Sequence, residues 1–222
     1  MEKIKLLYVH GYLGHGNGSA SQLIKAELDK RGVQYSLDAP DFPVTKPSLM
    51  RKMLTELIAG GKYDYVIASS LGAFYAMQTF GPFRILINPA MPENLKAIRD
   101  SEPAEKNPQL TDEFIEKIQK TADYFFDVCH DEESVFLTYL VYGNQDAIAG
   151  NEDFFKHYYY DESHIFHVDM EHKLDKIGAE KVCDIIEKIE TEQPVYENQL
   201  ELVLAKIFEE CDIDSPESKT NS

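Results

Sequence analysis

Val66-Ile67-Ala68-Ser69-Ser70-Leu71-Gly72-Ala73 is an apolar run that stops at two serines and a glycine and then takes on helical character. The stretch reads as a strand turning sharply into a helix, a turn that lifts a serine hydroxyl clear of the backbone. Such a turn brings the chain close to itself, so the positions two before and two after the serine must be small. Ala68 and Gly72 meet that condition around Ser70, whereas Ser69 would have Ile67 and Leu71 there. Ser70 is therefore the candidate nucleophile. The plainer reading of the same residues is a strand-to-helix loop with a serine N-cap.

Upstream, Ile4 to Val9 is a continuous apolar and aromatic run of the kind that forms a buried parallel strand. His10-Gly11-Tyr12 follows it directly. Gly11 lets the loop fold back over the strand end, so that the backbone N–H groups of Tyr12 and Leu71 can face a developing oxyanion. His10 itself reads as a buried scaffold residue. Gly14-His15-Gly16, with Asp38 at the end of the next strand, suggests a dinucleotide fingerprint. Its third position is Ser19, however, and the turn beside the strand is already taken by His10-Gly11. A Walker-type loop is excluded by the lack of Gly-Lys-Ser/Thr, and no cofactor is expected.

Periodicity and turn residues extend this pattern along the chain. Helices are expected over Ser21–Gly32, from Pro47 to Gly60-Gly61, over Leu71–Phe80, over Asn151–Tyr160 and from about Leu174 to Ile189. Strands are expected at Val33–Leu37, Tyr65–Ala68, Arg84–Ile87, Val135–Tyr142 and Ile165–Val168. Strands alternating with helices imply an α/β fold with a parallel sheet, helices on both faces, and a site at the carboxyl ends of the strands. The alternation breaks over 91–134. There an amphipathic helix from Thr111 to about Asp127 carries Phe114, Ile115, Ile118, Ala122 and Phe125 on one face. Two readings of this insertion stand open, a lid over the site or an apolar face packed on the sheet edge.

Two further residues fall at expected strand ends. Asp146 lies just past strand five, after the turn Gly143-Asn144-Gln145, where an acid can orient a histidine and stabilise its charged form. His172 lies just past strand six. The order Ser70, Asp146, His172 is that of the α/β-hydrolases, in which acid and base follow the nucleophile on later strand ends. His15, His130, His157, His164 and His167 read as ordinary structural or surface histidines, and none has metal-site spacing.

Composition bounds the partners. The chain has 222 residues, with 43% hydrophobic residues to fill a core, and 39 acids against 22 Lys+Arg for a formal charge of −17. That charge repels phosphate backbones and anionic lipid surfaces, so neither nucleic acid nor membrane is an expected partner. Cys129, Cys183 and Cys211 are odd in number and widely spaced, which suits free thiols in a reducing compartment. With no run of signal-peptide or membrane-spanning length, a cytoplasmic protein is expected. Domain limits are expected at 1–190 for the α/β domain, 191–211 for an extra helix and 212–222 for a disordered acidic tail.

Tyr8-Val9-His10-Gly11-Tyr12, Ala68-Ser69-Ser70-Leu71-Gly72-Ala73-Phe74-Tyr75-Ala76 and Leu86-Ile87-Asn88-Pro89-Ala90-Met91-Pro92 resemble the YqiA/YcfP-type esterases, a compact branch of the α/β-hydrolase superfamily. The resemblance spans about residues 4 to 190. It implies six parallel strands ordered 2-1-3-4-5-6, a Ser70-Asp146-His172 triad, and ester or thioester hydrolysis without a cofactor. Two departures stand out: Ala68 where glycine is usual, and Met170-Glu171 in place of Gly-Asn or Gly-Asp before the histidine. The function expected is hydrolysis of short to medium acyl esters through an acyl-enzyme. The alternatives are an acyl-CoA thioesterase with the same triad, or a hydrolase-fold protein that binds a ligand or partner without turnover.

Overall fold

The computed structural model describes residues 3–61, 63–101, 106–149 and 151–192. Six strands, β1 (Ile4–Val9), β2 (Tyr35–Asp38), β3 (Tyr65–Ser69), β4 (Phe83–Ile87), β5 (Thr138–Gly143) and β6 (Ile165–Val168), form one sheet in the order β2-β1-β3-β4-β5-β6. Every neighbouring pair is parallel. This is the expected α/β-hydrolase topology in its compact form. The pairing Val9↔Ala68 brings the ends of β1 and β3 level, and Ser69↔Ile87 does the same for β3 and β4.

Burial explains why the central strands read as unbroken apolar runs. Leu6 to Val9, Tyr65 to Ala68 and Tyr139 to Tyr142 are buried at every position, so side chains pointing to either side of the pleat leave water. The flanking strands β2 and β6 are only half-buried along most of their length. One face of the sheet, through Leu7, Val9, Val66, Ala68, Leu86, Leu140 and Tyr142, belongs to the main core. Helices α2 (Pro47–Gly61), α3 (Leu71–Ala76), α5 (Asp112–Tyr124) and α7 (Glu152–Tyr158) contribute Met50, Phe74, Ile118 and Phe155 to the same core. Each such side chain, fully buried, contributes roughly 1.5–3 kcal/mol.

Helix α1 (Ser19–Arg31) ends on Gly32 in the left-handed conformation, whose amide bonds back to Asp29 and Leu28. A final helix, α8, begins at residue 176. Arg31 of α1 donates to the Glu180 carbonyl on α8. The chain divides into two units, Met1–Cys183 and Asp184–Ser222, and the described residues of the second, 184–192, are helical. The extra helix expected from 191 and the tail over 212–222 lie, beyond 192, outside the described residues.

The segment between β4 and β5 contains more helix than periodicity indicated. Helix α4 (Pro92–Ser101) starts on a proline, and α5 begins after Thr111, whose hydroxyl caps the Phe114 amide at 3.1 Å. A π-helical turn, Phe125–Cys129, continues α5, and helix α6 (Glu132–Phe136) precedes β5. Val135 and Phe136, expected in strand five, therefore lie in α6. The Asp131 carboxylate accepts from the Ser134 amide at 2.8 Å and holds a helical turn where the apolar run alone reads as strand. Helix α3 is also shorter than expected, because beyond Ala76 the chain tightens into turns closed by Gln78 N–H to Tyr75 O and Thr79 N–H to Ala76 O.

Candidate active site

Ser70 joins β3 to α3 with φ 52° and ψ −125°, a left-handed conformation that a serine adopts at a cost of order 1–3 kcal/mol. Its surroundings hold it there. The Ser70 amide donates to the Ile87 carbonyl at 2.9 Å, and its own carbonyl accepts from Ala73 at 3.0 Å and Ala90 at 3.2 Å. Gly72 makes the turn possible, since a β-carbon there would collide with the carbonyl oxygens of Val9 and His10. The neighbouring Ser69 is placed differently. Its hydroxyl pairs with the Tyr8 phenol at 2.9 Å, inside the sheet.

Ser70, Asp146 and His172 meet at the carboxyl edge of the sheet. His172 Nε2 lies 2.9 Å from Ser70 Oγ, and His172 Nδ1 lies 2.8 Å from Asp146 Oδ2. A carboxylate at Nδ1 selects the Nδ1–H form, which leaves the Nε2 lone pair to accept from the serine hydroxyl. The Asp146 side chain is 3% exposed and that of His172 17%, so the acid is sealed while the imidazole still reaches the surface.

The other Asp146 oxygen, Oδ1, accepts from the amides of Ile148 at 2.7 Å and Ala149 at 3.1 Å. Burial pushes the Asp146 carboxyl up. The hydrogen bonds from His172 and these amides outweigh it and hold the group below the usual aspartate value. The acid is thus ionised at neutral pH and fixed in direction. Asn94 on α4 steadies this loop by donating to the Ile148 carbonyl at 2.7 Å.

The loop after β1 approaches from the other side. His10 is buried, with Nδ1–H donating to the Gly11 carbonyl at 2.9 Å and Nε2 accepting from the Phe42 amide at 2.8 Å. Both ring nitrogens are occupied by backbone groups, which ties the Gly11-Tyr12 turn to the loop after β2. Among the described residues, neither the Tyr12 nor the Leu71 amide donates to a protein acceptor. The remaining histidines lie elsewhere: His15 beside Asp41, His130 among the rings of Phe125, Phe126, Tyr158 and Tyr159, His157 against Tyr158, His164 stacked on Tyr139, and His167 paired with Glu152.

One residue at this edge was not singled out in the sequence. Asn88, just past β4, is fully buried and bonds through its side chain to the loops that carry Asp146 and His172. Its sequence signals are its position between an apolar strand and Pro89 and its place in the stretch Leu86–Pro92 that resembles the YqiA/YcfP-type family, neither of which assigns it a role. The insertion's apolar residues Phe114, Ile118, Phe125 and Phe126 are buried in the main core. Phe126 also borders a small cavity of about 80 Å³ together with Met91, Ala122, Phe154 and Tyr158. Among the described residues no cluster of His, Cys, Asp and Glu is placed to hold a metal ion, and no helix is long and apolar enough to cross a membrane.

Comparison with known proteins agrees with the topology. The model of a family described as "Uncharacterised protein family (UPF0227)" matches residues 5–187. An α/β-hydrolase enzyme, MGS-MChE2, from the metagenome of lagoon sediments at Mar Chica, Morocco, superposes with a TM-score of 0.61 at 15% identity, covering 87% of this chain and 93% of that one. Est1E from Butyrivibrio proteoclasticus gives 0.57 at 16% identity, with 87% and 89% covered. The ydeN gene product of B. subtilis gives 0.56 at 15%, with 85% and 100% covered. At these identities the likeness is one of fold. No curated protein matches the sequence.

Proposed function

The chain belongs to the UPF0227 family, the YqiA/YcfP-type family, and from that membership, its α/β-hydrolase fold and the contacts of Ser70 we propose that it is a serine hydrolase acting on acyl esters. One observation carries the reading: the unbroken hydrogen-bonded series from Ser70 Oγ through the two ring nitrogens of His172 to Asp146, with the serine on a strained turn. In this reading His172 Nε2 takes the Ser70 proton as Oγ bonds to the acyl carbon, and Asp146 stabilises the imidazolium. The amides of Tyr12 and Leu71, which have no protein acceptor among the described residues, receive the oxyanion. His172 then returns the proton to the departing alcohol. Water repeats the sequence on the acyl-enzyme, giving the acid and free Ser70.

The substrate class follows from charge and packing. A chain of formal charge −17 disfavours polyanionic leaving groups such as coenzyme A. The cations nearest the motifs form no cluster to offset it: Arg84 is fully buried on Thr138 and the Ser134 carbonyl, Arg99 pairs with Asp100 and Asp112, and Lys96 on α4 and Lys173 beside His172 are exposed single lysines. Esters of short to medium acids are therefore the proposed substrates. The test is hydrolysis of p-nitrophenyl esters of graded acyl length, and of the matching acyl-CoA, at low ionic strength. Wild type should favour the oxygen esters in kcat/KM and Ser70→Ala should be inert. Equal activity in Ser70→Ala would remove the reading, and preference for the thioester would reassign the substrate.

A further inference from the structure

Asn88 lies in the left-handed region, at φ 44°, with its side chain fully buried where the site loops converge. A buried carboxamide has two N–H donors and an acceptor to satisfy, and leaving one unmade is costly. Asn88 spends all three on the acid and histidine loops. Its Oδ1 accepts from the Gly143 amide at 2.8 Å, at the start of the turn leading to Asp146. Its Nδ2 donates to the carbonyls of Glu171 at 3.1 Å and His172 at 3.0 Å. The Asn88 backbone amide bonds to Val141 on β5 at 2.9 Å, while Ile87 and Ala90, on either side, bond to the amide and carbonyl of Ser70.

One short turn thus touches the backbone of all three loops, and within it a single side chain joins the acid loop to the histidine loop. We infer that Asn88 is a positioning residue for the hydrolytic site, setting His172 against Asp146 and Ser70; this rests on the serine-hydrolase reading above. The chemistry is specific to a carboxamide. Two carbonyl oxygens converge on one nitrogen, so a carboxylate in the same place would face them with acceptors alone. Residues 169–175, which hold His172, form no helix or strand, so the imidazole takes its aim from such tertiary hydrogen bonds.

The test compares wild type with Asn88→Asp, which keeps the shape and loses both donors, and Asn88→Gly, which suits the positive φ and deletes the clip. Each is assayed on one p-nitrophenyl ester, with melting followed in parallel so that only folded protein is compared. The expected result is a fall in kcat of about 10²-fold with KM changed by less than about threefold, as for a misaimed catalytic group rather than a lost binding contact. The rate of Ser70 phosphonylation by a fluorophosphonate should fall with it. Folded variants that keep wild-type kcat and labelling rate would overturn the positioning role. In wild type, the Asn88 carboxamide protons should exchange with solvent as slowly as the β4 and β5 amides. Exchange at surface-loop rates would overturn the role whether or not either variant folds. An inactive, unlabelled wild type would instead overturn the hydrolase reading itself.

Discussion

A β-carbon on Gly11 would stand 2.8 Å from that of Ser70, closer than non-bonded carbons approach, so the loop after β1 is pressed directly against the turn that carries the serine. Gly11→Ala must therefore displace one of the two. The expected cost is about 1–3 kcal/mol of stability, as for other overpacked sites, together with a loss of turnover. Gly60, on α2, has open space where its β-carbon would go. Gly60→Ala is expected to raise stability by about 0.5–1 kcal/mol through helix propensity and a less flexible unfolded chain, without affecting activity. Urea denaturation of the two variants checks both signs.

Ser70 holds a positive φ of 52°, a strain that the proposed nucleophile's turn accounts for and that stability alone does not. Alanine at position 70 keeps the left-handed φ and glycine relieves it. Ser70→Gly is expected to be more stable than Ser70→Ala by roughly 1 kcal/mol, after allowing for glycine's greater unfolded-state entropy. Both should be inactive. Equal melting curves would mean that the turn stores no strain.

Acid should destabilise the fold through identified carboxylates. Asp146 is pushed up by burial but held lower overall by His172 and the Ile148 and Ala149 amides, and the Ser134 amide and hydroxyl lower Asp131. In the unfolded chain an aspartate takes up its proton at about pH 4, before either of these groups does so in the folded protein. Their stabilisation is thus complete above that pH and is lost as pH falls through the lower folded values. Melting temperature should begin to fall below about pH 6.5, where His130, held below the usual histidine value by burial, takes up its proton more readily in the unfolded chain, and should drop further below about pH 4 as these carboxylates are protonated. Asp131→Asn should shallow the drop. A melting temperature that rose on acidification would contradict the assignment.

Much of this was legible in the sequence because the signals are local. Continuous apolar runs marked the central strands β1, β3 and β4, and small residues at 68 and 72 marked the turn at Ser70, since both reflect what immediate neighbours permit. Legibility failed where two local preferences overlapped or the partners were remote. Val135 and Phe136 extend the apolar run of β5, yet the Asp131 cap draws them into α6. Helix α4 was hidden because its single proline, Pro92, is its first residue and, with Pro89 just before it, reads as the continuation of a loop. The hydrogen bonds of Asn88 were illegible because their partners lie 55, 83 and 84 residues further along the chain, and only the sheet order brings them together.

The three residues of the hydrogen-bonded series should act as one unit. Ser70→Ala and His172→Ala are each expected to lower kcat by about 10⁴-fold or more, and the double variant by no more than either alone; Asp146→Asn should cost less. Steady-state kinetics of the four proteins check this. Additive losses would mean that the serine and histidine act on separate steps.

The most direct measurement is reaction of the folded protein with a fluorophosphonate, followed by mass-spectrometric mapping of the modified peptide. The account expects one adduct, on Ser70, forming rapidly in wild type, slowed by orders of magnitude in His172→Ala and absent in Ser70→Ala. A wild-type protein that stays unlabelled, or carries its adduct on Ser69 or another residue, would contradict the claim that Ser70 is an activated nucleophile.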